Sequence, residues 1–180
     1  MKEKNPWQTL SSKKKYDNNW ISLTEHQVVN PSGGNGIYGV VHFKNIAIGI
    51  LPIDRDRNTW LVGQFRYATN TYSWEIPEGG GPFNEQPLES AKRELLEETG
   101  LSAKNYQEIL RMHLSNSVSD ELCIVYLARD LIEGIAMPEE TEQLQIKKLP
   151  FEEVYKMVLN GEITDSVSVA AILKAKVILG

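Results

Sequence analysis

The pattern of apolar and polar residues predicts β-strands through the first part of the chain. Residues 21–29 and 37–43 are rich in β-branched side chains, and the glycines and proline between them indicate a turn, so this stretch predicts a hairpin. Short apolar segments at 46–53, 60–67 and 73–76 predict three further strands. The N-terminal part of the chain is therefore predicted to be mostly β-structure.

A glycine-rich loop is predicted at 79–81, and helical spacing of apolar residues follows it. Pro87 suits the first turn of a helix, and Gly100 suits the left-handed position just past its end. The later apolar segments predict two strands and then two helices, at 122–128, 143–149, 151–159 and 165–179. This mixture predicts an α/β fold in which a central mixed sheet carries helices on both faces.

Length, composition and charge narrow the class of protein. A chain of 180 residues with 41% hydrophobic and 24% charged residues suits one soluble domain of ordinary size. The net charge of -5 argues against a nucleic-acid binder, which would carry a basic surplus. An acidic protein that binds phosphates would need divalent cations to offset the repulsion.

Cysteine content and hydropathy indicate where the protein works. Cys123 is the one cysteine, which rules out a disulfide within the chain and argues against a zinc cluster. No apolar stretch is long enough to span a membrane, and the first residues lack an apolar signal core. We therefore expect a cytoplasmic protein that binds neither nucleic acid nor membrane.

The candidate chemistry lies on the first predicted helix. Glu94, Glu97 and Glu98 are spaced so that they share one side, where their charges repel unless cations lie among them. Mg²⁺ prefers such oxygen ligands and bridges them to substrate phosphates. Glu85 could supply a fourth carboxylate, and Arg93 can reach Glu97 one turn on. The alternative is an ordinary exposed charged face.

The full spacing resembles the signature of the Nudix family. That signature is a glycine, five residues, a glutamate, seven residues, and then Arg-Glu-apolar-any-Glu-Glu-any-Gly-apolar. Its nine fixed positions are all filled here, by Gly79, Glu85, Arg93, Glu94, Leu95, Glu97, Glu98, Gly100 and Leu101. The resemblance implies the Nudix fold, an α/β/α sandwich around a mixed sheet.

The resemblance also implies which residues hold the metal and act in catalysis. Glu94 and Glu98 would be the principal Mg²⁺ ligands, with Mn²⁺ as a substitute ion. Glu97 would help directly or through water, and the backbone carbonyl of Glu78 would add an oxygen. Gly79, which follows Glu78, would let the backbone approach the metal and the phosphate closely. Hydrolysis would therefore depend on Glu97 and Glu98.

Residues around these ligands receive supporting roles from the same resemblance. Glu85 and Arg93 would hold the metal ligands in place. Relatives carry a glutamate on a mobile loop that acts as general base or completes the metal site, and Glu140 or Glu142 would fill that part. An acidic loop of this kind is also commonly just solvated surface.

Most of the chain resembles the branch that hydrolyses ADP-ribose and nucleoside diphosphate sugars. In that branch an N-terminal hairpin region, here residues 1–45, packs across a homodimer and precedes a catalytic domain, here residues 46–180. Aromatic residues of the hairpin sandwich the base, which makes Trp20 and Tyr38 the candidates. Core packing or a cross-strand pair is the alternative for both.

Two residues before the signature match family positions near the substrate. Arg66 would grip the diphosphate through forked hydrogen bonds, with a surface salt bridge as the alternative. Glu75 would lie near the substrate or the metal, with a structural ion pair as the alternative.

The implied reaction is Mg²⁺-dependent hydrolysis of the diphosphate bridge, giving a nucleoside monophosphate and a sugar phosphate. ADP-ribose is the first candidate substrate. A proline that ADP-ribose-preferring relatives carry about 16 residues past the signature is absent from 114–121, which favours a broader specificity including GDP-mannose or ADP-glucose. The alternatives are a Nudix nucleoside triphosphate pyrophosphatase and a non-catalytic nucleotide-sugar sensor with this fold.

Overall fold

The computed structural model describes residues 3–135 and 144–180, and the chain divides into two compact units. The first unit is Met1–Asn45 together with Ser115–Glu121, and the second is Ile46–Leu114 together with Leu122–Gly180. The segment 115–121, which the sequence placed in the catalytic domain, therefore packs with the N-terminal region.

The first unit is a three-stranded antiparallel sheet in the order β1-β2-β3. Its strands are β1 (Gln8–Asp17), β2 (Ile21–Val29) and β3 (Asn35–Phe43). The predicted hairpin is β2 and β3, and the prediction is confirmed. Strand β1 was not predicted, because it is a polar segment whose residues are all exposed and so carries no buried alternation. The inserted segment bonds to β3, since Val41 N–H donates to the Val118 carbonyl at 2.8 Å.

The second unit contains two sheets, in the orders β7-β4-β9-β8 and β10-β5-β6. Strands β4 and β9 are parallel, whereas β8 and β9 are antiparallel, so the larger sheet is mixed as expected. The strands are β4 (Asn45–Pro52), β5 (Asn58–Arg66), β6 (Thr71–Glu75), β7 (Glu78–Pro82), β8 (Leu101–His113), β9 (Leu122–Glu133) and β10 (Gln145–Pro150).

Two of these strands differ from the sequence prediction. The segment predicted as a glycine-rich loop forms β7, because it pairs with the buried strand β4. Strand β8 was not predicted, since only Leu101 and Ile109 of its thirteen residues are buried. Both strands are edges of the larger sheet, where pairing with a neighbour compensates for a weak apolar pattern.

Three helices complete the described part of the second unit. They are α1 (Pro87–Thr99), α2 (Phe151–Leu159) and α3 (Ser166–Leu179). Helix α1 has the predicted proline at its start and ends at Gly100, whose φ of 72° is the left-handed conformation that glycine adopts freely. Within the described residues, no helix has the length and apolarity needed to cross a membrane.

The core lies on both faces of strand β4. Ile48 and Ile50 are buried in one apolar cluster with residues of α1. Leu51 is buried in a second cluster with Val154 of α2 and Ile172 of α3. Side chains of a strand alternate between its faces, so a buried strand needs apolar partners on both. The helices accordingly cover both faces of the sheet, which confirms the predicted α/β/α arrangement.

Candidate active site

The candidate site is built on the connection between strands β6 and β7. Glu75 is the last residue of β6 and Glu78 is the first of β7, with Ile76 and Pro77 between them. Ile50 N–H of β4 donates to the Pro77 carbonyl at 2.8 Å, which fixes the connection to the centre of the fold. Two carboxylates are thereby held three positions apart where the two sheets meet.

Two glutamates of helix α1 lie against this connection. Glu98 is 1% exposed, and its Oε2 accepts a hydrogen bond from Glu78 N–H at 2.9 Å. Glu94 lies so close to Gly79 that a Cβ atom added to the glycine would come within 3.0 Å of the carboxyl carbon and both oxygens. Only glycine at position 79 leaves room for Glu94 in this place.

Arg93 links the acidic side of α1 to strand β7. Its guanidinium lies 2.8 Å from Glu94 and 2.9 Å from Glu97, and the second contact is the one predicted from the sequence. It also donates to the Gly80 carbonyl at 3.0 Å. Burial alone would lower the pKa of Arg93, but Glu94 and Glu97 raise it overall. A permanent cation therefore offsets part of the repulsion along the helix.

Glu85 contacts the start of α1. The hydroxyl of buried Ser90 donates to Glu85 Oε2 at 2.5 Å, and Glu85 N–H donates to the Pro82 carbonyl at 3.0 Å. These bonds hold the entry to the helix. The role of Glu85 as a carboxylate ligand of the metal ion stays a prediction.

Arg66 is paired with the carboxylates of the β6–β7 connection. Its Nε donates to both oxygens of Glu75 at 3.0 and 3.1 Å, and its Nη2 lies 2.5 Å from Glu75 and 2.6 Å from Glu78. Burial would lower the pKa of Arg66, but Glu75 and Glu78 raise it above the usual value. Arg66 and Glu75 thus form an ion pair, which was the alternative given for each of them. Binding of the diphosphate by Arg66 stays a prediction.

A third carboxylate completes this group. One carboxylate oxygen from each of Glu75, Glu78 and Asp165 lies within 4.8 Å of the others. Burial raises the pKa of Glu78 well above its usual range, and Asp165 and Glu75 raise it further. The sequence placed Asp165 only at the start of a helix, which it does cap, so no local signal pointed to the site.

These donors suit a hard divalent cation. Oε2 of Glu78 is buried and accepts no hydrogen bond from any residue that the structure describes. The oxygens of the β6–β7 connection and those of Glu94 and Glu98 meet at the same backbone segment. Carboxylate oxygens concentrated in this way repel one another, and bound Mg²⁺ or Mn²⁺ would remove that repulsion.

The two aromatic candidates lie in the first unit. Trp20 follows β1 and is 67% exposed, which excludes core packing within its unit. Tyr38 donates its hydroxyl to the Ser117 carbonyl at 2.6 Å and meets the ring of Trp7 edge-on, with centroids 5.3 Å apart. Base binding by either residue stays a prediction. Glu140 and Glu142, which were predicted to lie on a loop, are outside the described residues.

Comparisons with known families agree with this geometry. A model described as the nucleoside diphosphate sugar hydrolase N-terminal domain matches residues 7–41, and the NUDIX domain model matches residues 43–170. The chain belongs to the Nudix family. The resemblance drawn from the glutamate spacing is therefore confirmed, and this Nudix hydrolase is a pyrophosphohydrolase.

Two relatives and one solved structure match this Nudix hydrolase over most of its length. An ADP-ribose pyrophosphatase of Mycobacterium tuberculosis is 34% identical, over 93% of this chain and 82% of the relative. An ADP-ribose pyrophosphatase of Bacillus subtilis is 28% identical, over 91% and 89%. The crystal structure of an ADP compounds hydrolase matches with a TM-score of 0.86 at 19% sequence identity, and the match covers 99% of this chain and 97% of the chain in that structure. This likeness supports the fold.

Proposed function

We propose that this Nudix hydrolase cleaves the diphosphate bridge of nucleoside diphosphate sugars, with ADP-ribose as the first substrate and Mg²⁺ as the cofactor. A water oxygen adds to one phosphorus, one bridging P–O bond breaks, and a nucleoside monophosphate and a sugar phosphate result. The observation that carries the proposal is the concentration of buried carboxylates around the Glu78–Gly79 backbone.

Glu94 and Glu98 are the principal residues that would hold the cation, helped by Glu97 and the Glu78 carbonyl. When bound, such a cation neutralises charge on the diphosphate and lowers the pKa of a coordinated water. The protein contributes orientation, since Glu98 is fixed by Glu78 N–H and Glu97 by Arg93. Fixed ligands of this kind act without rearranging during the reaction.

Arg66 is the candidate for gripping the diphosphate. Its side chain is 39% exposed, so part of the guanidinium reaches solvent while Glu75 and Glu78 hold it in place. An arginine preoriented by carboxylates loses little freedom when it donates to phosphate oxygens. Glu140 or Glu142 would act as the general base or as a late metal ligand.

The choice of ADP-ribose as first substrate rests on the names of the relatives, and the sequence favours further substrates beside it. The relatives from Mycobacterium tuberculosis and Bacillus subtilis are both named ADP-ribose pyrophosphatases. The proline expected for strict ADP-ribose preference is absent from 114–121. We therefore include GDP-mannose and ADP-glucose as further substrates.

We further propose that the protein is a cytoplasmic homodimer in which a second copy covers the first unit. The three-stranded sheet of that unit has Val28 as its only buried hydrophobic residue among those described, and several large apolar side chains are exposed. A sheet without a core needs a partner to bury its apolar surface. Trp20 and Tyr38 would contact the base in that assembly. The exposed side chains are Trp7, Leu10, Tyr16, Trp20 and Ile37.

Glu98→Gln tests the proposed function. Glutamine keeps an oxygen that can accept Glu78 N–H, so the fold should survive while the charge is lost. We expect kcat/KM for ADP-ribose at saturating Mg²⁺ to fall by about 100-fold, the effect of losing about 3 kcal/mol of transition-state stabilisation. Glu89→Gln on the same helix is the matched control, because Glu89 is exposed and pairs only with Lys92 among the described residues.

The assay uses a panel of ADP-ribose, ADP-glucose, GDP-mannose and nucleoside triphosphates, with products identified by mass. Near-normal turnover by Glu98→Gln would show that the assigned role is wrong. Triphosphates as the best substrates would instead identify a nucleoside triphosphate pyrophosphatase.

A further inference from the structure

The backbone donors of the β6–β7 connection bond to side chains rather than to the sheet. Ile76 N–H donates to the Ser168 hydroxyl at 2.9 Å, and Glu78 N–H donates to Glu98 at 2.9 Å. Pro77 lies between them and has no N–H. Each donor between the carboxylates of Glu75 and Glu78 is thus held by a different helix, by α3 and by α1. Buried N–H groups require such partners.

Ser168 is itself held firmly at the first turn of α3. It is fully buried, and its N–H donates to the carboxylate of Asp165, which caps the helix, at 2.7 Å. The neighbouring Val167 packs against the backbone of β4, where a Cβ on Gly49 would come 2.7 Å from its side chain. The same Cβ would lie 3.2 Å from Ile76. The first turn of α3 therefore packs tightly against β4, the strand whose Ile50 N–H bonds to the connection.

We propose that Ser168 is a positioning residue for the hydrolysis, acting through Ile76 on the carboxylates of Glu75 and Glu78. Its hydroxyl holds the peptide plane between Glu75 and Ile76, which orients the Glu75 side chain directly and sets where the backbone leads into Glu78. The inference rests on the proposed function, because it assigns these oxygens to the cation and the diphosphate. It makes the C-terminal helix, 92 positions away along the chain, part of the active site.

Ser168→Ala and Ala171→Gly form the matched pair that tests this inference. Both residues are buried on α3, one turn apart, and both changes weaken the helix or its packing. Only Ser168 bonds to the connection. Three quantities are measured well below the thermal midpoint: hydrogen exchange at the Ile76 amide, Mn²⁺ affinity without substrate by calorimetry, and kcat and KM for ADP-ribose.

For Ser168→Ala we expect faster exchange at Ile76, about 10-fold weaker Mn²⁺ binding and a similar loss of kcat, the scale seen when residues behind metal ligands are removed. Ala171→Gly should lower the thermal midpoint while leaving these quantities near wild type. Should Ser168→Ala not fold, Ser168→Cys keeps the side-chain size with a weaker acceptor and should shift the same quantities in the same direction.

Equal Mn²⁺ affinity and kcat in the Ser168 variants and Ala171→Gly would overturn the positioning role. Failure of the wild type to hydrolyse any substrate in the panel would instead contradict the proposed function. In that case Mn²⁺ affinity and Ile76 exchange, which need no substrate, still decide whether Ser168 orders the acidic group.

Discussion

Replacing Gly79 by alanine tests whether Glu94 has to lie against the backbone of β7. The added methyl would come within 3.0 Å of the Glu94 carboxyl carbon and both oxygens, whereas non-bonded heavy atoms need about 3.5 Å or more. Strand β7 is paired with β4, and Glu98 holds the adjacent Glu78 N–H, so the backbone is fixed. Glu94 is therefore the group that moves, by roughly 1 Å or more.

The expected effect on activity exceeds the effect on folding. Overpacking of this kind costs about 1–3 kcal/mol of stability. A domain whose free energy of unfolding is about 5–15 kcal/mol stays folded after such a loss. A displacement of about 1 Å at a reacting geometry costs about 100-fold in rate. We thus expect Gly79→Ala to be folded, to bind Mn²⁺ more weakly and to lose about 100-fold in kcat/KM.

The measurements are thermal unfolding, Mn²⁺ titration and steady-state hydrolysis of ADP-ribose. Gly39→Ala is the control, because a Cβ at that strand glycine would meet nothing within 4 Å. Its kcat/KM should match wild type. Wild-type kcat/KM and Mn²⁺ affinity in Gly79→Ala would refute the reasoning. Glu94 would then either hold the cation from another position or not hold it at all.

Two further predictions concern pH and assembly. Burial would raise the pKa of Asp54, but hydrogen bonds, the largest from Lys148, lower it overall. The ionised Asp54 therefore stabilises the folded protein fully above about pH 4, and this stabilisation declines as the pH falls through the lowered pKa. Asp54→Ala should therefore cost about 1–2 kcal/mol in urea unfolding at pH 7, with a gap that narrows below pH 4, and a gap independent of pH would contradict this. Trp20→Ala should raise KM for ADP-ribose, because the side chain proposed to contact the base is lost, and sedimentation of the wild type should show a dimer. An unchanged KM, or a monomer at all concentrations, would remove Trp20 or the dimer from the proposal.

Local signals in the sequence were enough to predict the helix that carries the candidate metal ligands. Pro87 and Gly100 bound α1 because their backbone preferences act at single positions, independent of the rest of the fold. The i+3 and i+4 spacing of Glu94, Glu97 and Glu98 follows from helix geometry, and the predicted contact of Arg93 with Glu97 is present for the same reason. The family, the fold class and the hairpin followed from patterns of this local kind.

Contacts between distant parts of the chain decided the rest. Strands β1, β7 and β8 exist because a neighbouring strand pairs with them, although their own residues are polar or glycine-rich. Arg66 matches a phosphate-gripping position in sequence, yet its partners in the fold are Glu75 and Glu78. Asp165 and Ser168 reach the β6–β7 connection only because α3 packs on the sheet. A helix cap and a buried serine look the same in sequence wherever the helix docks, so their part in the site is a property of tertiary packing alone.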